Sequence, residues 1–233
     1  MQVFLKRFFI FLLLAFVGYC MLVPLWSNLI PFQAFKKNMN YRMGSYGHMY
    51  TRLQEADTIQ NIDILVLGSS HAYRGFDPRI FEKEGYRIFV MGSSSQTPIQ
   101  ALALIKTYLP KLSPKLVLYE VYPGIFQNDG VESSLDLIAN GPLNWEMVKM
   151  AFSINHLKTY NVLLNDLFRE GLHLNVNFEE PLANEEDLYV SGGYVEKKYF
   201  NRTVNRNIKP STYKFKKDQL AAFAEVVSEI EKH

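Results

Sequence analysis

Three short stretches gather the side chains best suited to chemistry: Gly68-Ser69-Ser70-His71, Gly92-Ser93-Ser94-Ser95-Gln96 and Glu120-Val121-Tyr122. Each closes an apolar run of strand length, at residues 62–67, 86–91 and 116–121. A serine in the turn after a buried strand presents its hydroxyl at the top of a sheet. There it can attack an acyl carbon, while nearby backbone N–H groups receive the oxyanion. Gly92 suits that second task because the absent Cβ lets backbone approach closely. His71, Arg74, Ser94 and Glu120 are the candidates for lining the pocket. His71 neighbours the serine in sequence and points elsewhere, so it reads as a turn or pocket residue before a base. Arg74 and Asp77 read first as an ion pair and a helix cap. The five histidines (His48, His71, His156, His173 and His233) are too scattered for a metal cluster, and no cysteine pair supports them. Neither Gly-x-Gly-x-x-Gly nor a Gly-Lys-Ser/Thr loop occurs, so neither a cofactor nor a phosphate-binding domain is expected.

The elements that must position these turns follow from the patterning. Residues 62–67 alternate little, as in a strand buried on both faces. Asp77-Pro78 predicts a helix through Glu82, with Asp77 as cap and Pro78 in the first position. Thr97-Pro98 opens a helix bearing Ile99, Leu102, Leu104 and Ile105, which Pro110 is expected to end after Leu109. Strands joined by helical crossovers argue for a parallel sheet, whose ligand crevice lies beyond its carboxyl ends. Helical periodicity recurs at 131–138, 144–152 and 156–170. Residues 171–211 read as an extended insertion with a hairpin near Ser191-Gly192-Gly193. Residues 217–232 predict an amphipathic helix with Leu220, Phe223, Val226, Val227 and Ile230 on one face.

Residues 8–23 carry no charge, and the apolar character continues to Ile30. About 20 such residues cover the hydrocarbon core of a bilayer. Lys6 and Arg7 precede the run and Trp26 stands where an interfacial aromatic belongs. No small-x-small cleavage site follows, which favours an uncleaved anchor over a signal peptide. Cys20, the one cysteine, follows a bulky Tyr19, a poor context for lipidation. The chain therefore divides into a membrane anchor at 1–30, a linker and short helix at 31–60, and an α/β domain at 61–233. Net charge is +2, with 25 Lys+Arg against 23 Asp+Glu, which gives no support for nucleic acid as a partner.

Residues 63–123, about a quarter of the chain, resemble the SGNH/GDSL hydrolase superfamily, especially its membrane-anchored envelope branch with the DltD-like proteins. Gly68-Ser69-Ser70 matches the family's Gly-Asp-Ser, so the resemblance implies Ser70 as nucleophile. It also implies the Ser70 and Gly92 N–H groups as oxyanion hole, a flavodoxin-like three-layer α/β/α parallel sheet, and no cofactor. The substrate implied is an acyl ester of a cell-envelope or carbohydrate molecule, acted on by an esterase or acyltransferase. The anchor would then leave its N-terminus in the cytoplasm and the domain on the extracytoplasmic side; the flanking charges alone are nearly balanced. The departures are specific. Ser69 replaces the family's Asp, Val90 stands where an Asn is common, and the third-block Gly-x-Asn-Asp is absent, with Asn128-Asp129 a poor substitute. No Asp-x-x-His occurs anywhere, so the usual base and its orienter are missing. The expectation is an incomplete domain with impaired turnover, whose missing end carries further strands and the base. The alternative is a non-catalytic, membrane-anchored envelope protein that uses the same fold to bind a glycan or a protein.

Overall fold

The computed structural model describes residues 1–199 and 212–233, so the last part of the expected insertion, 200–211, lies outside them. The architecture is α/β. A parallel sheet has the order β2-β1-β3, from β1 (Ile64–Gly68), β2 (Ile88–Gly92) and β3 (Leu116–Tyr119). Gly68 pairs in register with Gly92, and Leu67 pairs with both Met91 and Tyr119, so the three strands end side by side.

β1 and β2 are buried at every position, which explains their unbroken apolar character. Alternate residues feed opposite faces of the sheet. Leu65, Leu67, Phe89 and Met91 join the larger core with α2 (Met49–Thr58), α5 (Pro98–Leu112), α6 (Val131–Asn140) and α7 (Trp145–Ile154). Ile64, Val66, Ile88 and Val90 meet Tyr73 of α3 (Ser70–Gly75), Phe81 of α4 (Pro78–Lys83), and Tyr189 and Val195. The last two belong to an antiparallel hairpin, β4 (Asp187–Val190) and β5 (Tyr194–Lys197), that turns at the glycines expected to form one. Its tip covers the outer edge of β2, with the Val90 N–H donating to the Gly192 carbonyl at 2.8 Å.

Asp77 caps α4 as expected, accepting from the Arg79 N–H. Pro110 does not end α5, which continues through Leu112. The proline lies in the last turn and removes one ladder bond, while Leu112 is fully buried beyond it and the Ser113 N–H closes onto the Leu109 carbonyl. The final helix, α9 (Lys217–Lys232), has the expected bounds, and its expected face is inward in part. Val226 is buried, Ile230 packs against the core and Phe223 stacks on Tyr119 and Phe126, whereas Leu220 and Val227 are exposed. Gln219 and Ala222 are buried beside them, the Gln219 amide accepting from the Ile99 N–H of α5 at 3.3 Å.

The stretch at 31–60, expected to serve as linker and short helix, contributes to the core. Met49, Leu53 and Arg52 of α2 are wholly buried. Arg52 binds three carbonyls, that of nearby Gly47 (2.8 Å) and those of the distant Gly92 (2.8 Å) and Gly193 (3.0 Å). Its guanidinium carbon also lies 4.6 Å from the centre of the Tyr73 ring. Oriented carbonyls and an aromatic face hold this charge away from water.

α1 (Gln2–Leu29) is long and apolar enough to cross a membrane. Its last turns pack on α8 (Leu157–Gly171), where Tyr19 bonds Asn161 and Asn28 donates to Asn165 at 2.8 Å. Val23, Pro24 and Ser27 are buried there.

Candidate active site

The chain leaves β1 at Gly68 with φ +144°, a conformation that L side chains avoid. A Cβ there would fall 2.7 Å from Glu120. Ser69 caps α3, its Oγ accepting from the His71 N–H at 3.3 Å, and Ser70 is the first helical residue. Glu120, just beyond β3, fixes the turn by accepting from both the N–H (2.9 Å) and the Oγ (2.8 Å) of Ser69. The buried Gln96 fixes the neighbouring strand ends. It accepts from the Gly68 N–H at 3.1 Å and donates to the Met91 carbonyl at 3.2 Å. Gly92 lies against the serine turn, where an added Cβ would be 2.9 Å from the Ser69 carbonyl oxygen. Ser70 and Gly92 are thus adjacent at the carboxyl end of the sheet.

Ser70 opens onto a polar cavity of about 980 Å³ whose wall includes His48, Tyr73, Arg74, Ser94 and Glu180. Arg74 lines it too, and its ion-pair partner is Asp187 of β4 rather than Asp77. The pair is bidentate, with both contacts at 2.9 Å. That bond holds the guanidinium pKa above its ordinary value. Burial works to raise the Asp187 carboxyl, and Arg74 more than offsets it, leaving Asp187 below the usual range. Asp77 pairs with Arg79 instead. Ser94 also lines the cavity, its Oγ donating to Glu132 at 3.0 Å. No family model, curated protein or solved structure matches this chain.

His71 and Glu120, the other two expected pocket residues, are outside that wall. The His71 ring is exposed, stacks edge-on against Tyr122 and brings Nδ1 within 3.4 Å of Glu120 Oε1. Glu120 acts beneath the turn, as its support. Asn128 and Asp129 spend their side-chain oxygens on the Gly130 and Val131 N–H groups, a local cap at the start of α6. His156 caps α8 through Nδ1. Among the described residues no group of three or more metal-ligating side chains forms.

Two cavity residues escaped the sequence reading. His48 precedes α2 in a left-handed conformation (φ 53°), is 3% exposed, and has no hydrogen-bond partner on either ring nitrogen among the described residues. Its Nδ1 lies 4.0 Å from Glu180 Oε1. Burial pushes the imidazole pKa down, Glu180 opposes this, and Arg52 reinforces it. Glu180 is itself held by the N–H (2.9 Å) and hydroxyl (2.8 Å) of Thr51. The available signal was slight: a histidine next to a glycine, followed by a helix carrying an arginine on its apolar face.

Proposed function

We propose that the chain is an SGNH-type serine esterase or acyltransferase domain held at a membrane by α1, with a flavodoxin-like layering of its elements. The observation that carries this reading is the position of Ser70, beside Gly92 at the carboxyl end of the parallel sheet and open to the polar cavity. In this scheme Ser70 Oγ attacks the carbonyl carbon of an acyl ester. The bond to the leaving alcohol breaks as the tetrahedral intermediate collapses, and backbone N–H groups at Ser70 and Gly92 receive the oxyanion. The acyl-serine then passes its acyl group to water or to a second hydroxyl. A mostly polar wall fits a hydroxylated, carbohydrate-like substrate, and the resemblance of residues 63–123 favours an extracytoplasmic envelope ester.

The serine needs a proton acceptor, and this reading selects His48, the imidazole that shares the cavity, with Glu180 as its orienting carboxylate. Its lowered pKa keeps it neutral near pH 7, the form that accepts a proton. The test is reaction of the full chain with a fluorophosphonate probe. Ser70→Ala should abolish labelling, and His48→Gln should slow it by about 10²-fold. Labelling of Ser70→Ala equal to the wild type refutes the nucleophile assignment. An unchanged rate in His48→Gln removes His48 from the scheme.

A further inference from the structure

The contacts of α1 with α8 set the level at which the domain meets the bilayer, given the membrane anchoring proposed above. From Phe8, the first residue after the charges Lys6 and Arg7, to Tyr19, the residue whose hydroxyl meets Asn161 of α8, there are 12 residues. At 1.5 Å per residue they reach only about 18 Å. A hydrocarbon core is about 30 Å thick, which requires about 20 residues and extends the span to Ser27. Tilting α1 shortens its reach and widens the gap. The stretch needed to complete the crossing is therefore the one already packed on α8.

The two helices run in the same sense, since Tyr19 meets Asn161 and Asn28 meets Asn165. The start of α8, and the α7–α8 elbow before it, consequently lie on the membrane side of that contact. The elbow has the surface such a position requires. Phe152 and Leu157 are each 63% exposed, and the Phe152 ring lies 5.3 Å from that of Tyr160. From Met147 to Asn165 the chain carries no Asp or Glu; Lys149 is paired with Glu146 at 2.8 Å, and Lys158 stands beside Leu157. Exposed apolar side chains next to a lysine match the acyl chains and phosphates of a lipid surface. At the other end of the docked stretch, Trp26 donates to the Phe35 carbonyl at 3.0 Å, and the exposed Phe32 and Phe35 rings stand 6.2 Å apart. That cluster is an aromatic belt at the level where the completed span would end.

We infer that the α7–α8 elbow is a second membrane contact, seated in the leaflet from which the domain emerges, and that the bilayer is its occupant. The full chain with Cys20→Ser and either Leu157→Cys or Glu82→Cys would carry an environment-sensitive fluorophore in vesicles of phosphatidylcholine and phosphatidylglycerol. The expected result is a blue-shifted label at position 157 that loses most of its emission to doxyl lipids spin-labelled near the headgroup, with the label at position 82 unaffected. Alkaline extraction separates the underlying reading from this one. A chain that stays in the pellet with position 157 as water-exposed as position 82 overturns the elbow alone. A label at 157 shielded from aqueous quencher yet untouched by doxyl lipid overturns it in favour of a second copy. Release of the chain by alkali overturns the anchor, and the elbow with it.

Discussion

Asp136→Asn tests how the interior beneath the cavity is held. Asp136 is buried in α6, and its Oδ2 has no partner among the described residues. Its Oδ1 accepts from Asn140 at 3.0 Å, and the Asn140 Oδ1 accepts from the N–H of Gly44 on the cavity wall at 2.8 Å. Burial raises the carboxyl from 3.8 to about 8; Arg52 opposes the rise, while Glu180 and Glu132 add to it. The folded chain therefore keeps a proton on Asp136 in a pH range where the unfolded chain has released it. Because the folded pKa is the higher one, stability is greatest below pH 4 as far as this group is concerned and falls as pH rises toward 8. The slope is about 1.4 kcal/mol per pH unit, or nearly 3 kcal/mol between pH 5 and pH 7. Asp166 of α8, raised to about 7 chiefly by burial, adds a slope of the same sign over the lower part of that range. An amide at position 136 can still accept from Asn140 and cannot ionise. Urea unfolding of the full chain in mild detergent, followed by tryptophan fluorescence from pH 5 to 8, should show the variant losing less stability than the wild type by about that slope. Parallel pH dependences for the two proteins would refute the assignment of a buried, protonated carboxyl.

Two further substitutions probe the serine turn. Glu120→Ala removes the one carboxylate oxygen that accepts both bonds from Ser69 and should cost about 2 kcal/mol, whereas Glu120→Gln, which keeps an acceptor, should cost less; unfolding midpoints of the pair check this. Gly68→Ala forces a Cβ into a left-handed position against Glu120 and should destabilise by at least about 2 kcal/mol while slowing fluorophosphonate labelling of Ser70. An unperturbed Gly68→Ala protein would contradict the strand exit described for β1.

The strands and their terminal turns were legible because they are local: apolar runs ending in Gly68 and Gly92 need no knowledge of their partners. The hairpin at Gly192-Gly193 and the bounds of α9 were legible for the same reason. The buried stripe of α9 was legible in part: Phe223, Val226 and Ile230 turn inward as expected, but a face drawn from residue types included the exposed Leu220 and Val227 and missed the amide of Gln219 that bonds α5. The cavity was less legible still. His48 and Glu180 are 132 positions apart, and Arg74 finds its carboxylate at Asp187 rather than at the nearer Asp77. Glu120 was recognised as a site residue, but its work beneath Ser69 depends on the side-by-side ending of β1 and β3, which spacing alone does not fix.

Arg52 has a consequence for how the molecule is assembled. Its carbonyl partners are at Gly47, Gly92 and Gly193, so a chain emerging from the ribosome completes the set only after 141 further residues have followed the arginine. Until the hairpin arrives, the guanidinium lacks the Gly193 carbonyl, and the interior around it cannot close without stranding a charge. The last glycine thus acts as a latch on a step begun early in synthesis, and chains that stall before it should be those a quality-control protease finds open.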